Sequence, residues 1–196
     1  SNLTLSGLAR RRVSTMLVAL AGLALLPVAQ AATVEESVAE LQQAWEVINY
    51  KTPAAEKEKK FEALAARAHK VTESFAGRAE PMVWEGIILS SWGGAKGGLG
   101  ALGLVKQAKA LYESAIQIDG NVLEGSAYNS LGVLYYKVPG WPIAFGDKAK
   151  AKELLQKALV INPKGIDANY FFADYLVETG EPQKAVAHLE KVLQAA

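Results

Sequence analysis

A recurring segment in the second half of the chain constrains the fold more than any other feature of the sequence. Residues 107–119 recur 43 positions later as residues 150–162, with the same small and large side chains in register. An alanine and a leucine of this copy, four residues apart, recur another 34 positions later as Ala185 and Leu189. Apolar residues follow helical spacing, and the breaks fall at Gly, Pro and Asn clusters. The sequence therefore predicts about eight helices and no strand.

The recurrence resembles the tetratricopeptide-repeat family. Thirty-four residues is the repeat length of that family, and 43 is the same length with an inserted loop. Gly132, in a helix with the family's aromatic, Leu-Gly and Tyr spacing, and the closing Pro163 also match its pattern. The matched small positions are Ala108, Ala151 and Ala185, and the large ones are Tyr112, Leu155 and Leu189. The resemblance implies an all-α fold, a tetratricopeptide-type α-solenoid of about four antiparallel helical hairpins.

The first 31 residues have the layout of a secretory signal peptide. Arg10–Arg12 supply a basic start, residues 16–26 form an uncharged apolar run, and Ala29 and Ala31 are small residues at the expected cleavage site. Cleavage after Ala31 would release a periplasmic protein with no stable membrane span, and an uncleaved anchor is the alternative. The rest of the chain is assigned to two parts. A capping helical pair is expected at 32–79, and repeats are expected at 80–120, 123–163 and 165–195.

Charge and residue inventory exclude several classes of function. Three of the 21 basic residues lie in the leader, so 18 basic residues face 20 acidic ones in the remainder, and a nucleic-acid partner is not expected. The chain has no cysteine, and neither His69 nor His188 has a second histidine at metal-ligand spacing. The glycine-rich segment 93–100 lacks the Gly-Lys-Ser/Thr ending of a phosphate loop. We therefore expect a non-catalytic protein with no metal or cofactor.

The tetratricopeptide resemblance implies that a partner binds on the concave face, which the first helix of each hairpin lines. Carried over from the family, the concave positions include the predicted partner-binding residues and six others, which are Met82, Glu85, Leu89, Asp167, Val177 and Glu178. We expect Asn129 and Lys137 to hold the main chain of a bound protein or peptide, and Tyr136 to be the main side-chain anchor. Packing between hairpins is the alternative role of these residues. The predicted partner-binding residues are Trp92, Asn129, Val133, Tyr136, Lys137, Tyr170 and Asp174.

Two turns within hairpins are lengthened, at residues 90–106 and 137–148. The second carries Trp141, Ile143 and Phe145 between proline and glycine residues. These side chains either fold back as a lid on the helix ends or flank an opening for a ligand. A secretory signal, few repeats and this loop together resemble the periplasmic T-component family of tripartite ATP-independent (TRAP) transporters. That resemblance implies assembly with a periplasmic solute-binding protein and a hydrophobic ligand channel.

Two functions follow as hypotheses. The first is a periplasmic scaffold without catalytic activity, which binds a protein or peptide partner on its concave face. The alternative is an accessory carrier of a TRAP-type transporter that holds a small apolar ligand under residues 138–146. A carrier should have a closed apolar cavity beneath that loop, whereas a scaffold should have an open groove.

Overall fold

The computed structural model describes residues 31–195, so the predicted signal peptide lies outside the described residues except for its last residue. This part of the chain is helical, and its one β-bridge, between Gly140 and Gly146, is isolated. A short 3₁₀ turn, Leu99–Ala101, precedes the fourth helix. The all-α prediction is therefore confirmed for residues 31–195. The helices are α1 (Val34–Lys51), α2 (Ala54–Ser74), α3 (Ala79–Lys96), α4 (Leu102–Asp119), α5 (Val122–Lys137), α6 (Lys148–Ile161), α7 (Ile166–Glu178) and α8 (Pro182–Ala195).

Local sequence signals fix several helix ends. At the start of α1, the Thr33 hydroxyl accepts a hydrogen bond from the Glu36 N–H at 3.1 Å, and the Glu36 carboxylate accepts one from the Thr33 N–H at 2.9 Å. This reciprocal pair satisfies two backbone donors that the first turn leaves free. Asp147 caps α6 in a similar way, through the N–H of Lys150 at 3.0 Å. Each of these helices thus begins where the sequence supplies an acceptor.

The eight described helices form two layers, and successive helices of a layer touch one another in only one of the two. Each helix packs against its neighbours in sequence, and the odd-numbered helices also pack against one another, α1 on α3, α3 on α5 and α5 on α7. The even-numbered helices of residues 31–195 make no such contacts with one another. The odd-numbered helices therefore form the closely spaced inner layer and the even-numbered helices the outer one.

Small residues on inner helices face large residues on outer helices. A Cβ added to Gly86 of α3 would lie 2.5 Å from the Tyr112 ring on α4, and one added to Gly132 of α5 would lie 2.8 Å from Leu155 on α6. The recurring alanines Ala108, Ala151 and Ala185 are fully or almost fully buried. The small residues at the recurring positions are thus enclosed within this part of the chain.

Candidate ligand-binding groove

A partly open groove of about 530 Å³ lies against the odd-numbered helices of the described chain. We call it the inner groove. Each odd-numbered helix contributes to it, and its lining side chains include Trp45, Glu46, Trp84, Asn129, Asp167 and Phe171. Its position follows from the packing, since among the described helices only the inner layer has contacts between all its successive members. A ligand there would touch four helices that are far apart in sequence.

Aromatic rings form the α1–α3 end of the inner groove. The rings of Trp45 and Trp84 meet edge to face with centroids 6.0 Å apart, and Tyr50 approaches Trp45 in the same manner at 5.8 Å. The indole N–H of Trp45 donates to the Ser91 hydroxyl at 2.8 Å, which fixes the orientation of that ring. Tyr50 is exposed, whereas the two tryptophans are half-buried. This end therefore offers oriented aromatic faces for an apolar or cationic group.

Asn129 lies in the middle of the inner groove and is the most unusual polar residue there. Only 6% of its surface is exposed, and its amide oxygen is buried without a hydrogen-bond partner among the described residues. A buried polar atom normally has a partner, and leaving one without costs about 1–3 kcal/mol. The groove thus carries a hydrogen-bonding group that nothing within residues 31–195 uses.

A second pocket of about 440 Å³ adjoins the inner groove beside the start of α7. We call it the side pocket. The two share Ser126, Asn129 and Asp167 as lining residues. At its far wall, Leu123 and Glu124 adopt left-handed backbone angles, with φ of 50° and 56°. Residues other than glycine rarely hold this conformation, and such strain is frequent beside functional sites.

The charged residues that line the groove and the side pocket are all acidic. Their lining residues include the carboxylates of Glu46, Glu124 and Asp167, but no Lys, Arg or His. Although Asp167 is exposed at the groove surface, the protein around it displaces enough water to raise the pKa of its carboxyl group. The two connected spaces therefore form an acidic, partly apolar surface.

The structure brings some of the predicted partner-binding residues to the inner groove and not others. Asn129 and Val133 line it. Tyr136 is 6% exposed and donates a hydrogen bond to Asp174 at 2.8 Å, so the structure places the expected anchor in the core. Lys137 pairs with the same Asp174 at 2.8 Å and with Glu178. This network of side chains holds α5 against α7, beside the groove rather than in it.

The remaining predicted residues lie elsewhere on the described helices. Tyr170 is 48% exposed and meets the ring of Phe171 edge to face at 5.2 Å, and Phe171 rather than Tyr170 lines the inner groove. Trp92 packs against the core beyond the groove, with its indole nitrogen unpartnered within residues 31–195. Glu85 is buried between helices. On α3 the groove is lined instead by Trp84, Ile87, Ser90 and Ser91.

Sequence reasoning missed Trp45, Tyr50 and Trp84. The predicted capping pair placed Trp45 with the buried stripe of α1, but the structure buries Leu41 and Ile48 and leaves Trp45 facing the groove. A signal was present in the sequence. Gln42, Trp45 and Glu46 follow i, i+3, i+4 spacing, and this mixed aromatic and polar face is distinct from the apolar stripe beside it.

The 138–146 loop does not roof the inner groove or the side pocket. Trp141 is 90% exposed and Ile143 is also exposed, whereas Phe145 packs edge to face on Tyr135 with centroids 5.4 Å apart. The Lys109 ammonium lies 5.8 Å from the Phe145 ring centre. Phe145 therefore anchors the loop to α4 and α5, and Trp141 projects from it. No loop residue lines the inner groove, the side pocket or a third pocket of about 240 Å³ near Tyr128.

Residues that could carry chemistry are dispersed in this part of the chain. His69 lies 2.9 Å from a carboxylate oxygen of Glu85, and His188 lies 2.9 Å from the Asn169 side-chain oxygen. Within residues 31–195, no three His, Cys, Asp or Glu side chains are grouped so as to hold a metal ion. None of the described helices is long and apolar enough to cross a membrane. Comparison with protein-family models and with curated proteins finds no match for the chain.

Proposed function

We propose that this protein is a non-catalytic scaffold that binds an extended segment of a protein or peptide partner in the inner groove. The observation that carries the proposal is the Asn129 amide, buried and with its oxygen unpartnered among the described residues, at the centre of a groove that has an aromatic end. An asparagine amide has a donor and an acceptor side by side, the same pair that a peptide main chain presents. Asn129 can therefore hold the backbone of a bound segment while the aromatic rings bind its side chains.

We further propose that the helices form a tetratricopeptide-type solenoid of four hairpins, α1–α2, α3–α4, α5–α6 and α7–α8. Contacts between successive odd-numbered helices support this architecture, as does the recurring pairing of Gly86 with Tyr112 and Gly132 with Leu155. In such an array each hairpin contacts only its neighbours, and the inner helices form one continuous binding surface.

The length of the inner groove favours an extended segment over a small molecule. Adjacent packed helices are separated by about 8–10 Å, so the three steps from α1 to α7 span roughly 25–30 Å. An extended chain advances about 3.3 Å per residue, and about eight residues would therefore reach from Trp45 to Asp167. The groove is partly open to solvent rather than enclosed, which an extended segment requires and a carrier of a small apolar ligand does not.

The cellular setting of the proposal comes from the sequence. If the leader directs export, the partner is a protein of the bacterial envelope, and a periplasmic solute-binding protein is the candidate that the T-component resemblance suggests. The exposed Trp141 would then be a second contact outside the groove. The carrier alternative has less support, because the loop that should cover the ligand lines none of the three pockets.

A library of random peptides displayed on phage tests the proposal. Selected peptides should bind the wild-type protein and lose at least about tenfold in affinity, or 1.4 kcal/mol, for Ser126→Tyr, which places a ring between the groove and the side pocket. Ser114→Tyr is the matched control, since Ser114 is exposed on the outer helix α4. Equal binding to both variants would refute the groove as the site. Loss of binding with Trp141→Ala alone would place the site on the loop.

A further inference from the structure

We infer that the segment bound in the inner groove carries a basic side chain, arginine or lysine, with an apolar side chain several residues away, and that Asp167 pairs with this basic group. The inference deepens the proposed function and rests on it. It follows from the charges that the groove and the side pocket present, from the unused hydrogen-bonding group between them, and from the aromatic end of the groove.

The three carboxylates around these spaces lack ionic partners among the described residues. Glu46, Glu124 and Asp167 make no salt bridge within residues 31–195. Glu46 and Glu124 accept hydrogen bonds only from the neutral amides of Gln42 and Asn162. Other exposed acidic residues, such as Asp119 and Glu190, also lack salt bridges among the described residues, so what distinguishes these three is that they line the groove and the side pocket, where no Lys, Arg or His is present. A cation would be attracted to these spaces.

Nearby lysines are committed to other groups. Lys137, on the same inner helix as Asn129, pairs with Asp174 and Glu178. Lys157 pairs with Glu153 at 3.1 Å. Neither lysine side chain lines the groove or the side pocket. A basic group of a ligand at Asp167 would therefore not compete with Lys137 or Lys157.

Asp167 lies in the first turn of α7, where the positive end of the helix dipole favours a carboxylate. The side chain reaches the groove surface, and the surrounding protein raises the pKa of its carboxyl group by partial burial. A positively charged ligand group would stabilise the ionised carboxylate there.

The buried amide of Asn129 supports the inference independently of the carboxylates. It is buried, it lines both spaces, and its oxygen accepts no hydrogen bond from the described residues. An N–H donor is therefore what this position lacks, and both a peptide main chain and a basic side chain supply N–H donors. Because Asn129 and Asp167 line both the groove and the side pocket, a basic side chain that enters there lies beside both residues.

The aromatic end of the groove favours the same class of ligand. Trp45 and Trp84 line the groove toward α1 and can hold an apolar side chain that lies several residues along the segment from the basic one. A segment that carries both kinds of side chain, several residues apart, would place them along one groove.

Three labelled peptides, matched except for one side chain, test the inference by fluorescence anisotropy. Each has a blocked core in which a Leu-Phe pair lies about six residues from X on either side, separated from it by Gly-Ser repeats, and X is arginine, its neutral isostere citrulline, or glutamate. The arginine peptide should bind about threefold more tightly than the citrulline peptide, since an ion pair with an exposed carboxylate contributes at that scale. The glutamate peptide should bind more weakly still, and the arginine preference should shrink as salt is added.

Asp167→Asn should remove the preference for arginine over citrulline, whereas Asp119→Asn, an equal change in net charge on an exposed residue, should keep it. Equal affinity for arginine and citrulline, or equal behaviour of the two variants, would overturn the inference. Failure of all three peptides to bind would overturn it as well. If all three bind equally and Ser126→Tyr abolishes that binding, the charge preference fails while the proposed function of the groove stands.

Discussion

The Nδ1 atom of His69 lies 2.9 Å from Oε1 of Glu85, while the other carboxylate oxygen of Glu85 is buried with no partner within residues 31–195. His69 is exposed on α2 and Glu85 is buried on α3. His69 is thus the hydrogen-bond partner of the buried Glu85 carboxylate. Glu73 adds a weaker contact, 3.5 Å from the Nε2 atom of His69.

This pair should make the free energy of unfolding depend on pH. The hydrogen bond to Glu85, and then the charge of Glu85, raise the pKa of His69 above 6.5. A raised folded-state pKa contributes stability that is fully present below pH 6.5 and is lost as the pH rises through the higher, folded value. Because His69 is exposed, we expect about 0.5 kcal/mol, the scale of a surface pair.

Urea unfolding of the wild type and of His69→Gln, at a series of pH values from below to above neutrality, measures this contribution. The wild type should lose stability relative to the variant as the pH rises, and Glu85→Gln should flatten the dependence in the same way. A difference between wild type and His69→Gln that stays constant across the series would contradict the assignment.

Gly132→Ala should destabilise the protein by about 2 kcal/mol, because the new methyl group would meet the Leu155 side chain and the backbone oxygen of Ala151 at 3.3 Å. The α5–α6 contact has no room for it. Gly103→Ala is the matched control, since a Cβ there meets nothing within 4 Å and Gly103 lies in the first turn of α4. The control should be neutral or stabilising by about 0.5 kcal/mol. Thermal unfolding followed by circular dichroism compares the two, and equal melting temperatures would refute the close packing.

The repeat motif allowed the helix register of α5 to be predicted from the sequence. No clear motif is present in α3, and its register could not be predicted. Around α5, the Gly132 spacing fixed the helix register, so Asn129 and Val133 were placed in the groove. In α3, buried residues such as Val83, Ile88 and Leu89 occupy several faces, because this helix packs against four others. A helix that is apolar on most sides gives no periodic signal for its register. The groove residues Trp84 and Ile87 were therefore not predicted.

Burial distinguishes two tyrosines that were both predicted to line the concave face, with Tyr136 as the main anchor. Tyr136 is buried, whereas Tyr170 is exposed. Asp174, one turn after Tyr170, accepts hydrogen bonds from the Tyr136 hydroxyl and the Lys137 ammonium. Which side chain is buried depends on how α5 and α7 approach each other, and a single helix sequence does not contain that information.

Tyr136→Ala should therefore cost about 3–5 kcal/mol of unfolding free energy, as expected for a buried aromatic residue. Tyr136→Phe keeps the ring and removes only the hydrogen bond to Asp174, so it should cost about 1 kcal/mol. Tyr170→Ala should stay within about 0.5 kcal/mol of the wild type, because Tyr170 is exposed. Chemical denaturation measures all three. A Tyr170→Ala protein that is less stable than Tyr136→Ala would reverse the structural roles of the two tyrosines.

Replacing Asn129 by leucine should raise stability and abolish binding, which is the combination expected of a residue kept for function. Its amide oxygen is buried without a partner among the described residues, so an apolar side chain of similar size removes that penalty and should stabilise the fold by about 1 kcal/mol. The same change removes the group that holds the backbone of the bound segment. Peptides selected on the wild type should lose at least about tenfold in affinity for the variant.

Asn169→Leu distinguishes this effect from that of any buried asparagine. The Asn169 amide is fully buried and donates to the backbone oxygens of Pro163 and Gly165, at 3.0 and 2.9 Å, while its oxygen contacts His188. Leucine there leaves those partners unsatisfied, so stability should fall by about 3 kcal/mol. Opposite signs at the two positions are the expected result. If Asn129→Leu is destabilising to a similar degree, its amide has a structural partner, and Asn129 does not hold a ligand in the inner groove.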